Sequence, residues 1–151
     1  MSLNKLTDQQ SLIHMMGKLM KEIKGIINQE LSKQGINLSK EQVIVLKKLV
    51  EQDGRPQNDL AVVTSRDKTS LSRLLATMEN KDLITRKQSH YDKRINLVFI
   101  THLGITEFNK AKPIAMKIIN QAIKGVDLQR IDQTKILLSE IYENLNLQNE
   151  E

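Results

Sequence analysis

Over the first third of the chain, Leu12, Met16, Leu19, Met20, Ile23, Ile27 and Leu31 return at helical spacing, behind a Thr7–Gln10 pair spaced as a capping box. One long amphipathic helix is predicted there. Gly35 and Asn37 break it, and Ser39 with Gln42 opens a second helix, whose apolar positions are Val43, Val45, Leu46, Leu49 and Val50. Asp53-Gly54 ends that one. After Arg55-Pro56 the stretch QNDLAVV predicts a helix of about two turns, with Leu60, Ala61 and Val63 available to face inward. Thr64-Ser65 interrupts the pattern. Asp67 then stands as N-cap of a further helix, with Leu71, Leu74, Leu75 and Met78 on one side and Thr69, Ser72, Arg73, Ala76 and Thr77 on the other.

From Leu83 to Thr101 the period drops to roughly two: Ile84, Arg86 and Gln88, then Ile95, Leu97, Phe99 and Thr101. Two strands joined by the polar turn SHYDKR fit this. Without an Asn-Gly or Asp-Gly pair, the connection should be longer than a tight hairpin. Beyond Gly104, Phe108, Ala111, Ala115, Ile118, Ile119, Ala122 and Ile123 predict another long helix, with Pro113 as a possible kink and Gly125 as its end. Asp127 can cap a last helix carrying Leu128, Ile131, Leu138, Ile141, Tyr142 and Leu145, ahead of a charged, frayed tail. The fold class is therefore mainly α with a small antiparallel β-hairpin (α+β). A short helix, a turn, a helix and a hairpin in that order is the plan of a winged helix-turn-helix.

At 151 residues the chain suits one folding unit, and 39% hydrophobic with 27% charged residues suits a globular one. Its aromatics are only Tyr91, Phe99, Phe108 and Tyr142, so the core must be built from Ile, Leu, Val and Met, which favours helix packing. The absence of cysteine excludes disulfides, thiolate metal sites and a thiol switch. His14, His90 and His102 are far apart and form no recognisable metal motif, and no cofactor is expected. No run of about 18 apolar residues occurs and the opening MSLNKLTDQQ has no apolar core, so a cytoplasmic protein without a membrane span is expected. No Ser/His/Asp arrangement, glycine-rich phosphate loop or HExxH pair is present, and an enzyme is not expected.

The position of the charge is more telling than its total. Residues 66–96 hold Arg66, Lys68, Arg73, Lys81, Arg86, Lys87, Lys93 and Arg94 against Asp67, Glu79, Asp82 and Asp92, a net +4 of the whole chain's +5. A local basic excess is the footprint of a surface that meets phosphates, although a solvated lysine-rich face gives the same count. A helix entering the major groove needs one buried face and small polar or cationic side chains on the other. The helix after Asp67 has both, with Arg66, Lys68, Thr69, Ser70, Ser72, Arg73 and Thr77 as candidate DNA contacts; an ordinary surface helix is the alternative. Arg86 on the first strand and Lys93 and Arg94 in the turn complete the set, the last able to enter a narrow minor groove. Asp92 could orient the guanidinium of Arg94 or Arg73 by a salt bridge.

The run DLAVVTSRDKTSLSRLLATMENKDLITRKQSHYDKRINLVFITHLG resembles the core of MarR-family regulators. Leu71-Ser72-Arg73-Leu74-Leu75, Met78-Glu79, Leu83-Ile84, Asp92-Lys93-Arg94, and Thr101 with Gly104 stand at that family's motif positions. Asp82 departs from it, occupying the place of a customary glycine; Asp tolerates a left-handed backbone better than most residues. The resemblance implies a homodimer, with 1–38 and 101–151 as a helical dimerisation region and 39–100 as the DNA-binding lobe. The apolar surface between Leu12 and Leu31 and between Phe108 and Leu145 agrees, since it exceeds what the lobe could cover; a monomeric helical bundle is the alternative. The resemblance further implies double-stranded DNA with an imperfect palindromic operator, recognition helices ~34 Å apart, and a repressor released by a small phenolic or other anionic aromatic effector. His14, Met15, Met16 and Met20 could line an effector cleft, against the plainer reading of core packing. A winged-helix protein-interaction module without DNA binding is the competing function, with Arg73 and Arg94 as the discriminating residues.

Overall fold

The computed structural model describes residues 8–147. Among these, six helices and three short strands follow one another as α1 (Asp8–Lys33), α2 (Lys40–Glu51), β1 (Arg55–Pro56), α3 (Gln57–Val63), α4 (Lys68–Asn80), β2 (Ile84–Gln88), β3 (Asn96–Ile100), α5 (His102–Ala122) and α6 (Leu128–Leu147). Thr7 of the first capping box and the charged tail beyond Leu147 lie outside the described residues.

The caps explain where the helices begin. The Ser39 hydroxyl accepts from the Gln42 N–H while the Gln42 side chain accepts from the Ser39 N–H, a reciprocal capping box that opens α2. Asp67 accepts from Ser70 N–H at 2.8 Å at the head of α4, and Asp127 from Gln129 N–H at 2.7 Å at the head of α6. Pro113 lies inside α5 without ending it. The latter helix starts at His102, two residues before the glycine that the sequence pattern took as its border.

The described residues form two compact units, one reaching to Ile118 and the other beginning at Ile119. In the first, a single apolar core joins Ile27 and Leu31 of α1, Val45, Leu46 and Leu49 of α2, Leu60 of α3, Leu71, Leu75 and Met78 of α4, Ile84 and Val98 of the sheet, and Phe108, Ala111 and Ile114 of α5. Each large side chain fully removed from water contributes about 1.5–3 kcal/mol. That shared burial fixes the angle of α4 to its neighbours. The second unit holds the end of α5, a turn at Gly125 with φ 78°, and α6.

The structure adds detail that the sequence pattern does not carry. The hairpin is the larger part of a three-stranded antiparallel sheet of order β1-β3-β2, because Arg55 and Pro56 pair with Val98 and Leu97. The core face of β3 is that of Val98 and Ile100, which lie opposite Arg86 and Ile84, while Leu97 and Phe99 take the other face. Phe99 is there covered by Gly54, where φ is +68° and an added Cβ would meet its ring at 2.9 Å. Val63, expected to be available to the interior, is exposed, and so is Val50 at the end of the apolar series of α2.

Candidate nucleic-acid interface

Helix α4 presents two chemically distinct sides. Leu71, Leu75 and Met78 are buried, which leaves Lys68, Thr69, Arg73 and Thr77 exposed and Ser72 half-buried on the opposite side. The α3–α4 turn is tight: Ser65 takes φ 52°, and the Arg66 N–H donates back to the Ala61 carbonyl at 2.9 Å. At the other end Asp82 takes φ 57°, the left-handed geometry that the missing glycine would have supplied.

A hydroxyl then joins this lobe to α5. Thr101 Oγ1 donates to the Asp82 carbonyl at 2.6 Å and accepts from the Gly104 N–H at 2.9 Å, while Thr101 N–H donates to the Leu83 carbonyl at 3.0 Å. Gly104 sits so close that a Cβ there would run into the Leu83 carbonyl oxygen. This is the physical content of the T-x-x-G spacing.

The loop between β2 and β3 is a closed turn. Ser89 N–H donates to the Ile95 carbonyl at 2.8 Å, Ile95 N–H to the Asp92 carbonyl at 3.0 Å, and Tyr91 N–H to Ser89 Oγ at 3.2 Å. Lys93 and Arg94 are exposed on it, and Tyr91, part of the polar turn in the sequence, stands fully in solvent. Asp92 does not pair with a guanidinium, contrary to expectation; its carboxylate accepts from the Arg94 backbone N–H at 2.9 Å and so shapes the turn.

Not every candidate cation is available to a ligand. Arg86 donates from Nε and Nη2 to Glu79 Oε2 at 3.0 and 2.7 Å, and its N–H donates to Glu79 Oε1 at 3.1 Å, so it clamps β2 to α4. The Arg86 hydrogen bonds hold the Glu79 carboxyl below its ordinary 4.5 against a small opposing effect of burial. Arg66 donates to Ser70 Oγ at 2.8 Å and lies 4.0 Å from Glu41, which binds Lys24 of α1 more closely at 2.6 Å. Burial pushes the Glu41 carboxyl up, but Lys24 and hydrogen bonds from its own backbone and Ser39 outweigh that and hold it below 4.5. Lys87 lies over the Phe99 ring at 5.8 Å. Lys68, Arg73, Lys93 and Arg94 carry no ion pair or side-chain hydrogen bond among the described residues. The structure therefore keeps Lys68, Thr69, Ser72, Arg73, Thr77, Lys93 and Arg94 at the surface of α4 and the loop, and turns Arg66, Ser70 and Arg86 to internal bonds.

The effector candidates are dispersed. His14, Met15 and Met20 are exposed along α1 and Met16 is half-buried; none lines either of the two surface grooves near the α1–α2 connection. One groove, of about 270 Å³, is bounded by Asn37, Leu38, Lys81, Leu83, Leu103 and Glu107. Among the described residues no three His, Cys, Asp or Glu side chains gather as a metal site, and no helix is long and apolar enough to cross a membrane.

A short helix, a tight turn, a second helix with an exposed basic face and a cationic β-loop define a winged helix-turn-helix. The profile of the MarR family matches residues 38–95, the stretch that spans these parts. This stretch is a MarR-family winged helix-turn-helix, and it is set in a chain with the fold of MarR-family transcriptional regulators. The chain is similar to AbsC, a MarR family transcriptional regulator from Streptomyces coelicolor, at 22% identity and a TM-score of 0.81, over 95% of this chain and 99% of that one. It is similar to S. aureus MepR in a DNA complex at 25% identity and a TM-score of 0.80, over 87% of this chain and 96% of that one. A third likeness is to CouR from Rhodococcus jostii RHA1 bound to p-coumaroyl-CoA, at 21% identity and a TM-score of 0.74, over 92% of this chain and 95% of that one. No curated protein sequence matches it.

Proposed function

We propose that the chain is a cytoplasmic, homodimeric regulator that binds an imperfect palindrome in duplex DNA and acts as a repressor released by a small phenolic or other anionic aromatic effector. One observation carries the DNA-binding part: Lys68, Arg73, Lys93 and Arg94 stand exposed and without ion pairs on a recognition helix and a wing, whereas Arg66 and Arg86 are turned to internal bonds. In this reading α4 enters the major groove, where Thr69, Ser72, Arg73 and Thr77 meet base edges and Lys68 a phosphate, and Arg94 reaches the adjacent minor groove. Arg66, Ser70 and Arg86 brace these elements and touch no DNA.

Support for the dimer comes from apolar side chains in each unit. Ile13, Met15, Leu19 and Met20 of α1 are each more than half exposed, and so are Leu128, Ile136 and Tyr142 of α6. Water is a poor partner for such surfaces, and a second copy would cover them. Support for an effector is the ligand bound to CouR; none of the residues named on α1 is assigned to it here.

Fluorescence anisotropy with labelled duplex across a salt series tests the DNA-binding reading. Affinity should fall steeply with salt, at a log–log slope of about −0.9 for each phosphate neutralised. A protein that binds no duplex, or binds without salt dependence, would instead favour the protein-interaction alternative.

A further inference from the structure

Lys81 belongs to the basic segment and lies at the end of the recognition helix, yet its ammonium is engaged within the protein. It is the C-cap residue of α4. Its ammonium donates to three oxygens at once: the Asn37 carbonyl at 3.0 Å, Asn37 Oδ1 at 3.1 Å and Gln42 Oε1 at 3.3 Å. An ammonium has three N–H donors and no more, so the group is saturated within the protein. The acceptors sit in the connection between α1 and α2 and in the buried capping-box glutamine of α2, 44 and 39 positions away in sequence.

We infer that Lys81 is a positioning residue for DNA binding, a tripod that fixes the C-terminal end of the recognition helix to the α1–α2 connection. The inference rests on the DNA-binding reading above and adds a role that charge counting conceals. Packing of Leu71, Leu75 and Met78 holds α4 against the core, and Glu79 ties its last turn to β2 through Arg86, but neither supplies a directional bond from that end of the helix to the α1–α2 connection. Three hydrogen bonds from one ammonium are directional, and they act beside the point where the chain turns left-handed at Asp82 to enter the wing. A helix free to rock at that end would offer its base-reading side chains in a spread of orientations, and ordering them on binding costs affinity.

The test is Lys81→Met, which keeps the aliphatic stem and loses the three donors, titrated with a selected operator duplex and a scrambled one. Affinity for the operator should fall about tenfold, with the scrambled duplex little affected and the salt slope unchanged, since no phosphate contact is removed. Lys81→Arg should not restore binding, because a planar fork cannot address the same three oxygens. Asn37→Ala, which removes one acceptor, should show a smaller loss in the same direction. A salt slope shallower by about one would make Lys81 a phosphate contact and overturn the inference. So would full recovery with arginine, or a drop in melting temperature with operator affinity intact. Failure of the unsubstituted protein to bind any duplex would instead sink the DNA-binding reading and this one with it.

Discussion

Arg86 and Arg94 are eight positions apart on the same hairpin, carry the same charge, and are put to opposite uses. Arg86 is bound twice by Glu79, whereas Arg94 contributes only its backbone N–H to the turn. Arg94→Ala should therefore weaken binding to most duplexes and shallow the salt slope by about one, with the melting temperature unchanged. Arg86→Ala should do the reverse: a loss of about 1 kcal/mol of stability, seen in urea titration, with the salt slope of DNA binding preserved. Composition could not separate the two, since both read as basic residues in a basic segment. What divides them is a carboxylate seven positions upstream of Arg86, brought alongside only when α4 and β2 pack.

The same carboxylate sets a pH dependence. The Arg86 hydrogen bonds place Glu79 below its ordinary value in the folded state, and Glu41 is likewise lowered once Lys24 and its other hydrogen bonds have overcome the effect of burial. Groups of this kind bind protons more tightly when unfolded, so their stabilisation is complete above about pH 4.5 and is lost as pH falls through the depressed folded value. Melting temperatures should thus fall on acidification below that range, and Glu79→Gln should flatten the acid limb while lowering stability at neutral pH. An acid limb identical in the variant would contradict the assignment.

At the scale of the element, most of the helices were legible because their start signals are local. Ser39 with Gln42, Asp67 and Asp127 all cap as their spacing predicts. The strand β1 was invisible for the opposite reason: two residues have no period, and Arg55-Pro56 becomes a strand only through its partner on β3. The core face of β3 was not legible because apolar residues occupy both sides of it, so Leu97 with Phe99 alternates as well as Val98 with Ile100. Only Gly54, placed under Phe99, tells the faces apart, and that contact is long-range. The departure at Asp82 proved tolerable and has a cost. Asp82→Gly should stabilise the protein by up to about 1 kcal/mol by relieving the left-handed strain, measured as a raised urea midpoint; destabilisation would show that the aspartate carries a compensating role. Gly104→Ala should have a far larger, opposite effect, since its new methyl has no room beside the Leu83 carbonyl.

At the scale of the whole molecule, the basic helix and wing are one half of the account and the uncovered apolar helices are the other. The two faces of α4 that the proposed site needs were readable because they follow helical spacing, with leucines inward and Thr69, Ser72 and Arg73 on the opposite side. The internal hydrogen bonds of Arg66, Ser70 and Lys81 were not, because each depends on side chains brought together by the fold. In the proposed dimer, two copies of α4 related by a two-fold axis would read two half-sites of opposite sense. Sedimentation velocity at micromolar concentration should give one species near twice the 17.3 kDa chain mass. The most direct measurement of the central claim is enrichment of bound sequences from a random duplex pool by the full chain. The account predicts a motif with inverted half-sites about one helical turn apart, ~34 Å between centres; recovery of no motif, or of a single unrepeated site, would contradict it.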